Sequence, residues 1–282
     1  MTRSTLREPL GLLALIAVLG GCDGCGSTQE PASDPAAREP GAATATSATL
    51  EGVVRLAEGA APPRYPENPM IPPPGRPAPP ETCAPPQERD RAPLSPGPDR
   101  GLNDVLVMLA DFATIPEHEP VTHDVSITDC RLTPRLVVGM QGDRLRITNR
   151  TDYPFLPDLG ASVLQAVLHE RSREVELGQG GVRTLQCAFA APCGRAEIVT
   201  LYHPLFAVSD ESGRFRIENA PANEEIRISA WHPLVEEATQ TLTLRAGETR
   251  RVELVVTPAP VPEVPAQPAR EGPAENDPDI LF

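Results

Sequence analysis

Apolar and polar residues alternate along much of the chain, with the period of two that is typical of β-strands buried on one face. The alternation is clearest at 50–56 (LEGVVRL), 225–233 (EIRISAWHP), 239–247 (TQTLTLRAG) and 249–257 (TRRVELVVT). Residues 104–109 (DVLVML) are almost continuously apolar, which indicates a strand of a more buried type. These patterns predict an all-β fold.

The middle of the chain continues the pattern, with turn residues such as Gln141-Gly142-Asp143 between short apolar segments. One segment differs: in 162–170 (SVLQAVLHE) the apolar residues fall at 163, 164, 167 and 168, a spacing that predicts a short helix. The strands predicted in this block lie near 123–128, 135–139, 144–148, 174–177, 182–187 and 196–201.

The N-terminus has the organisation of an export signal. Arg3 and Arg7 precede a short apolar run, 10–19, which is followed by Gly20-Gly21-Cys22. This LGGC sequence resembles a bacterial lipobox. The resemblance implies cleavage after residue 21 and acylation of Cys22 by diacylglycerol and palmitate-type chains, which together anchor a protein stably. The alternative is an ordinary signal peptide with an incidental cysteine.

Composition separates ordered from irregular segments. The chain contains 35 proline residues, which are concentrated between residues 60 and 100 and after residue 258. Segment 22–47 is rich in Ser, Thr, Ala, Pro and Glu, so we expect a disordered tether, and we expect the same of the 258–282 tail. The net charge of −14 argues against nucleic acid as a partner.

Residues 123–149 resemble the opening half of a cupredoxin, the fold of blue-copper proteins. Pro134, Gly142-Asp143 and Asn149 stand where that family has a proline, a Gly-Asp turn and an asparagine that ends a strand. Residues 206–221 (FAVSDESGRFRIENAP) resemble instead the middle of a transthyretin-like, or carboxypeptidase regulatory-like, β-sandwich.

The two resemblances together imply a cupredoxin-like Greek-key sandwich inserted into a transthyretin-like sandwich, with disordered Pro-rich linkers. A surface loop tolerates such an insertion, because closure entropy rises slowly with loop length. The segments expected are a signal peptide at 1–21, the tether at 22–47, the first half of the outer sandwich at 48–112, the cupredoxin-like domain at 113–204, the second outer half at 205–257 and the tail at 258–282.

The metal ligands of the cupredoxin family are incomplete. A blue-copper centre uses two imidazoles and one thiolate. Pro154 and Phe155 occupy the place where the resemblance implies one histidine, and Ala190 stands for the other. Cys187 remains, and Cys193 replaces the methionine. The expected cofactor is therefore none, although copper in an atypical site is the alternative.

The sequence favours structural roles for the cysteines and for the remaining histidines. In an exported protein Cys187 and Cys193 favour a disulfide over a thiol-redox pair, and Cys83 and Cys130 would form a second one unless Cys25 takes part. The resemblance places His203 and His232 in structural segments between the sandwiches, with Trp231 as a core residue. His118 and His123, beside acidic residues, are expected to face solvent.

Motifs for catalysis are absent: no nucleophile elbow, zinc-binding helix or phosphate loop occurs, and the chain lacks lysine. We therefore expect no enzyme, but a lipoprotein on the periplasmic side of a bacterial envelope. Its expected partners are the lipid bilayer, through acylated Cys22, and an envelope protein. The alternative function is copper-dependent electron transfer.

Overall fold

A computed structural model of the chain describes residues 46–65, 83, 91–160, 165–189 and 193–260. The predicted signal peptide, Cys22, the tether up to residue 45, Ala190 and the tail after residue 260 lie outside this part. Within this part, the structure contains no helix that could span a membrane. The fold is all-β, as the alternating pattern predicts.

Most strands are short, and a 3-10 turn at Pro98–Arg100 lies between the first two. The strands are Ser47–Leu56 (β1), Leu106–Ala110 (β2), Thr122–Thr128 (β3), Arg131–Thr133 (β4), Leu136–Met140 (β5), Arg144–Asn149 (β6), Leu156–Asp158 (β7), Ser172–Glu176 (β8), Gly181–Phe189 (β9), Arg195–Leu201 (β10), Phe206–Val208 (β11), Arg214–Pro221 (β12), Glu225–Trp231 (β13), Ala238–Thr243 (β14) and Thr249–Val256 (β15).

Four sheets arise from these strands. Sheet 1 has the order β12-β1-β15 and sheet 2 the order β11-β2-β13-β14. Sheet 3 has the order β5-β10-β9-β7 and sheet 4 the order β4-β3-β6-β8. Strands β3 to β10 build sheets 3 and 4, and the strands before and after them build sheets 1 and 2. The chain thus completes one sandwich within a single connection of the other.

The two inner sheets are buried on both faces, which explains the nearly continuous apolar strands. In β2, Val107 and Leu109 pack in a core with sheet 1, whereas Leu106 and Met108 pack against residues of β5 and β10 in sheet 3. On β10, Ile198 packs in the core shared with sheet 4. The sheets therefore stack in the order 1, 2, 3, 4, with apolar contact at every level.

The predicted helix at 162–170 is wrong for residues 165–170, which form a bridge and a turn. Val167 is fully buried and exchanges two backbone hydrogen bonds with Phe155, with N···O distances of 2.7 and 3.2 Å. Leu168 beside it is 57% exposed. The apolar spacing therefore belongs to a loop that buries Val167, and it does not mark one face of a helix.

Candidate functional site

Asn149, at the end of β6, organises the loop in which a cupredoxin would place its first copper ligand. Its side chain is fully buried and donates from Nδ2 to the carbonyl oxygens of Tyr153 (2.7 Å) and Val167 (3.0 Å). Its Oδ1 accepts from the backbone N–H of Thr151 at 2.9 Å and from the Thr151 hydroxyl at 2.8 Å. All hydrogen-bonding positions of the amide are used, so the loop is held in one conformation.

Phe155 fills the interior beneath this loop. Its side chain is 1% exposed and meets the ring of Tyr153 edge-to-face, with ring centroids 5.9 Å apart. It belongs to the core between sheets 3 and 4, together with Leu159 and Leu185. An aromatic ring therefore occupies the place where the family resemblance implies an imidazole, and it contributes apolar packing instead of a nitrogen donor.

Two disulfides lie in the same core. Cys187, on β9, is bonded to Cys193, six residues further on, with Cα atoms 5.4 Å apart. Cys83 is bonded to Cys130 across 47 residues, with Cα atoms 5.2 Å apart. Cys83, Cys130 and Cys193 are buried, and Cys187 is half-buried. The pairing that the sequence favours is present, and it leaves none of these four sulfurs as a free thiolate.

We call the end of sheets 3 and 4 that carries Phe155, Cys187 and Cys193 the pole of the inserted sandwich. The residues at this pole do not fit a blue-copper ion. The sulfur of Cys187 is consumed in a covalent bond, and Phe155 has no donor atom. Among the described residues, no group of three or more histidine, cysteine, aspartate or glutamate side chains could hold a metal ion. His169 lies at the same pole, but its Nδ1 is 2.9 Å from the carbonyl oxygen of Thr151 and its side chain is 55% exposed.

His203 and His232 occupy two equivalent turns, each of the form aromatic-His-Pro-Leu. Proline has no N–H to donate, and in each turn the N–H of the following leucine donates to the histidine Nδ1, at 3.3 Å for His203 and 3.2 Å for His232. Burial, together with the guanidinium of Arg195, lowers the pKa of His232 to about 3. Burial also lowers the pKa of His203. Both imidazoles act as neutral structural acceptors.

A polar network crosses the boundary between the sandwiches. Glu197 on β10 is 1% exposed and accepts from the hydroxyls of Tyr65 (3.0 Å) and Thr184 (3.2 Å). The guanidinium of Arg195 pairs with Glu197 and lies over the Tyr65 ring, 4.7 Å from its centroid. Burial and the negative charge of Glu197 raise the pKa of Tyr65. Trp231 packs nearby in the apolar cluster between sheets 2 and 3.

The expectation that His118 and His123 face solvent is wrong. Both imidazoles bind Asp143, which lies in the turn between β5 and β6. His118 Nε2 lies 2.7 Å from Oδ1 and His123 Nε2 lies 2.8 Å from Oδ2. The backbone N–H groups of Val121 (2.9 Å) and Met140 (2.8 Å) donate to the same two oxygens. The Asp143 side chain is 1% exposed, against 21% and 24% for the histidines.

This arrangement, which we call the Asp143 clasp, comprises Asp143, His118 and His123. Burial alone would raise the pKa of Asp143, but the donors on Met140, the two imidazoles and Val121 outweigh it and lower the pKa. The clasp fixes the segment that leads from sheet 2 into β3. The sequence offered only one signal for it, a Gly-Asp turn whose carboxylate needs donors once buried.

Comparison with known proteins gives a weak structural likeness. No family model matches the chain, and no curated protein matches it. Amicyanin from Paracoccus versutus is 12% identical, covers 35% of this chain and 99% of its own, and has a TM-score of 0.26. A reduced amicyanin variant is 18% identical over 33% of this chain and 99% of its own, also with a TM-score of 0.26.

Proposed function

We propose that this chain is an exported lipoprotein, anchored by acylated Cys22 on the periplasmic side of a bacterial envelope, that acts as a non-catalytic binding or structural module. The lipobox-like LGGC after a basic and apolar leader supports the anchor. The strands of sheets 1 and 2 correspond in this proposal to a transthyretin-like sandwich, and those of sheets 3 and 4 to a cupredoxin whose copper centre has been replaced.

The observation that carries this proposal is the pair of replacements at the pole of the inserted sandwich. Cys187 is bonded to Cys193, and Phe155 is buried where an imidazole would be needed. A disulfide and an aromatic ring stabilise a loop by covalent closure and packing. Both replacements therefore favour a rigid module that presents its surface over one that transfers electrons.

The anchor is tested by fractionating bacterial cells that express the full chain. We expect the wild-type protein to be in the membrane fraction, to be cleaved after residue 21 and to incorporate labelled palmitate, and Cys22→Ser to keep its leader and to incorporate none. Cys25→Ser is the matched control, because it removes the neighbouring thiol without touching the lipobox, and it should be labelled like the wild type. Equal palmitate incorporation in wild type and Cys22→Ser would reject acylation at Cys22. Crosslinking in the intact envelope, followed by mass spectrometry, identifies the protein partner.

The second candidate function is copper binding at an atypical site. It requires the Cys187–Cys193 bond to be open, and its imidazole would come from His169, whose Nδ1 lies 2.9 Å from the carbonyl oxygen of Thr151 in the loop after Asn149. Titration of the purified full chain with Cu(II) separates the two candidates. The module should show no intense thiolate-to-copper absorption band, with amicyanin as the positive control. A strong band in the unreduced protein would establish the copper-binding candidate instead.

A further inference from the structure

The exposed edges of β-sheets need protection, because their unpaired N–H and C=O groups pair readily with other strands. Most edge strands described here carry such protection. Strands β8, β12 and β15 contain arginine and glutamate, and β4, β7 and β11 have only three residues each. Strand β5 is uncharged, but all of its residues are buried.

Strand β14 is the exception. It forms the edge of sheet 2 and pairs only with β13 in the part of the chain that the structure describes. Its sequence, ATQTLT, has no charge, proline or glycine over six residues. Thr239, Gln240, Thr241 and Thr243 are exposed, and Leu242 packs partly on the core shared with sheet 1. The edge is thus regular, accessible and unprotected.

We propose that β14 is a self-association surface, across which two copies of this chain pair their β14 strands in antiparallel fashion about a two-fold axis at Thr241. In antiparallel pairing, opposite residues share a face, so this register sets Thr239 against Thr243 of the second copy and Thr241 against its own equivalent. The result is a continuous sheet of eight strands, with threonine ladders that favour β-pairing.

The charges that flank β14 favour a second copy of this chain as the partner at this edge. Glu237 and Arg245 flank β14, both are exposed, and each lies four residues from Thr241. The two-fold register therefore sets Glu237 of each copy opposite Arg245 of the other, which gives two pairs of opposite charge. A chain with a net charge of −14 repels its own copies over most of its surface. This edge instead offers an uncharged strand with complementary ends.

Exchanging the charges of Glu237 and Arg245 tests the proposed register between the two β14 strands. Sedimentation of the full chain in detergent at low salt should show reversible dimers. In Glu237→Arg or Arg245→Glu alone, two opposite-charge pairs become like-charge pairs, so the dissociation constant should rise about tenfold. The double exchange restores opposite charges and should recover wild-type association. A monomer at every concentration, or a double variant as weak as the single ones, would overturn the proposal.

Cysteine crosslinking tests the axis independently, in a Cys25→Ser background that removes the extra thiol. Thr241→Cys should form an intermolecular disulfide under mild oxidation, because the two-fold axis sets the residue against itself. Thr239→Cys alone should not, since it faces residue 243 of the other copy, and adding Thr243→Cys should restore crosslinking. If Thr239→Cys crosslinks as readily as Thr241→Cys, or neither does, self-pairing in this register is wrong and the edge is left to a strand of another protein.

Discussion

Replacing Asp143 with asparagine tests whether the Asp143 clasp stabilises the inserted sandwich. The carboxylate oxygens accept four hydrogen bonds, two from imidazoles and two from backbone N–H groups, at 2.7 to 2.9 Å. An amide of the same shape keeps one oxygen and replaces the other by an NH₂ group. Whichever way it is oriented, the NH₂ faces the N–H of Val121 or of Met140, and a donor then meets a donor.

The expected loss follows from that mismatch. A hydrogen bond to a charged group contributes about 1.5–3 kcal/mol, and a buried N–H without an acceptor costs about 1–3 kcal/mol. The two effects overlap and the partly exposed imidazoles can rehydrate, so we expect Asp143→Asn to lower the free energy of unfolding by about 3 kcal/mol. For a protein of this size, that corresponds to a fall in Tm of about 6–12 °C.

Urea unfolding followed by circular dichroism measures this change. Asp124→Asn is the matched control: its carboxylate lies 67% exposed beside Arg146, and its loss should change stability by less than about 0.5 kcal/mol. The pKa of Asp143 is lowered, so its stabilisation is present above the ordinary carboxyl pKa of about 4 and is lost as pH falls below it. The gap between wild type and Asp143→Asn should therefore narrow in acid.

A second variant perturbs the clasp without touching its carboxylate. A Cβ added at Gly139 would lie 2.6 Å from His123 Nε2 and 2.7 Å from a methyl carbon of Leu177. Gly139→Ala should therefore displace the imidazole and destabilise the protein by about 1–3 kcal/mol. If Asp143→Asn and Asp124→Asn unfold at the same urea concentration as wild type, the clasp contributes nothing and the reasoning fails.

Two further predictions concern pH and the disulfides. The pKa of His232 is lowered to about 3. The contribution of His232 to the free energy of unfolding should therefore be complete above the ordinary histidine pKa of about 6.5 and be lost as pH falls towards 3. In His232→Asn, whose side-chain oxygen can replace Nδ1 as the acceptor, the free energy of unfolding should depend less on pH. On the chain-entropy model, replacing Cys83 and Cys130 by alanine should cost about 4 kcal/mol, and replacing Cys187 and Cys193 about 2 kcal/mol, because the first loop is longer. Equal losses in denaturant melts would contradict that model.

Period-two alternation predicted the strands well, because it records directly which face of a strand is buried. It could not predict which sheets stack on which: β2 and β5 are apolar on both faces because two further sheets cover them, a fact that only the fold supplies. The predicted helix at 162–170 failed for a related reason. Val167 is buried by a bridge to Phe155, a contact between loop residues that periodicity does not encode.

One part of the candidate site could be predicted from the sequence and another could not. The substitutions at the positions where the cupredoxin resemblance implies copper ligands could be read from the sequence, because Phe155 and Cys187 stand close to recognisable strand ends. The Asp143 clasp could not, because His118 and His123 lie 25 and 20 residues from their partner and meet it only after β3 and β6 pair. Exposure was the default expectation for histidines beside acidic residues, and the pairing of β3 with β6 overrode it.

Mapping of the disulfides in the unreduced, exported protein tests most directly whether the pole of the inserted sandwich is closed to copper. After alkylation of free thiols and proteolysis, mass spectrometry should find Cys187 linked to Cys193, and no alkylated Cys187. Alkylated Cys187 in the metal-free protein, together with protection of that thiol when Cu(II) is added first, would contradict it.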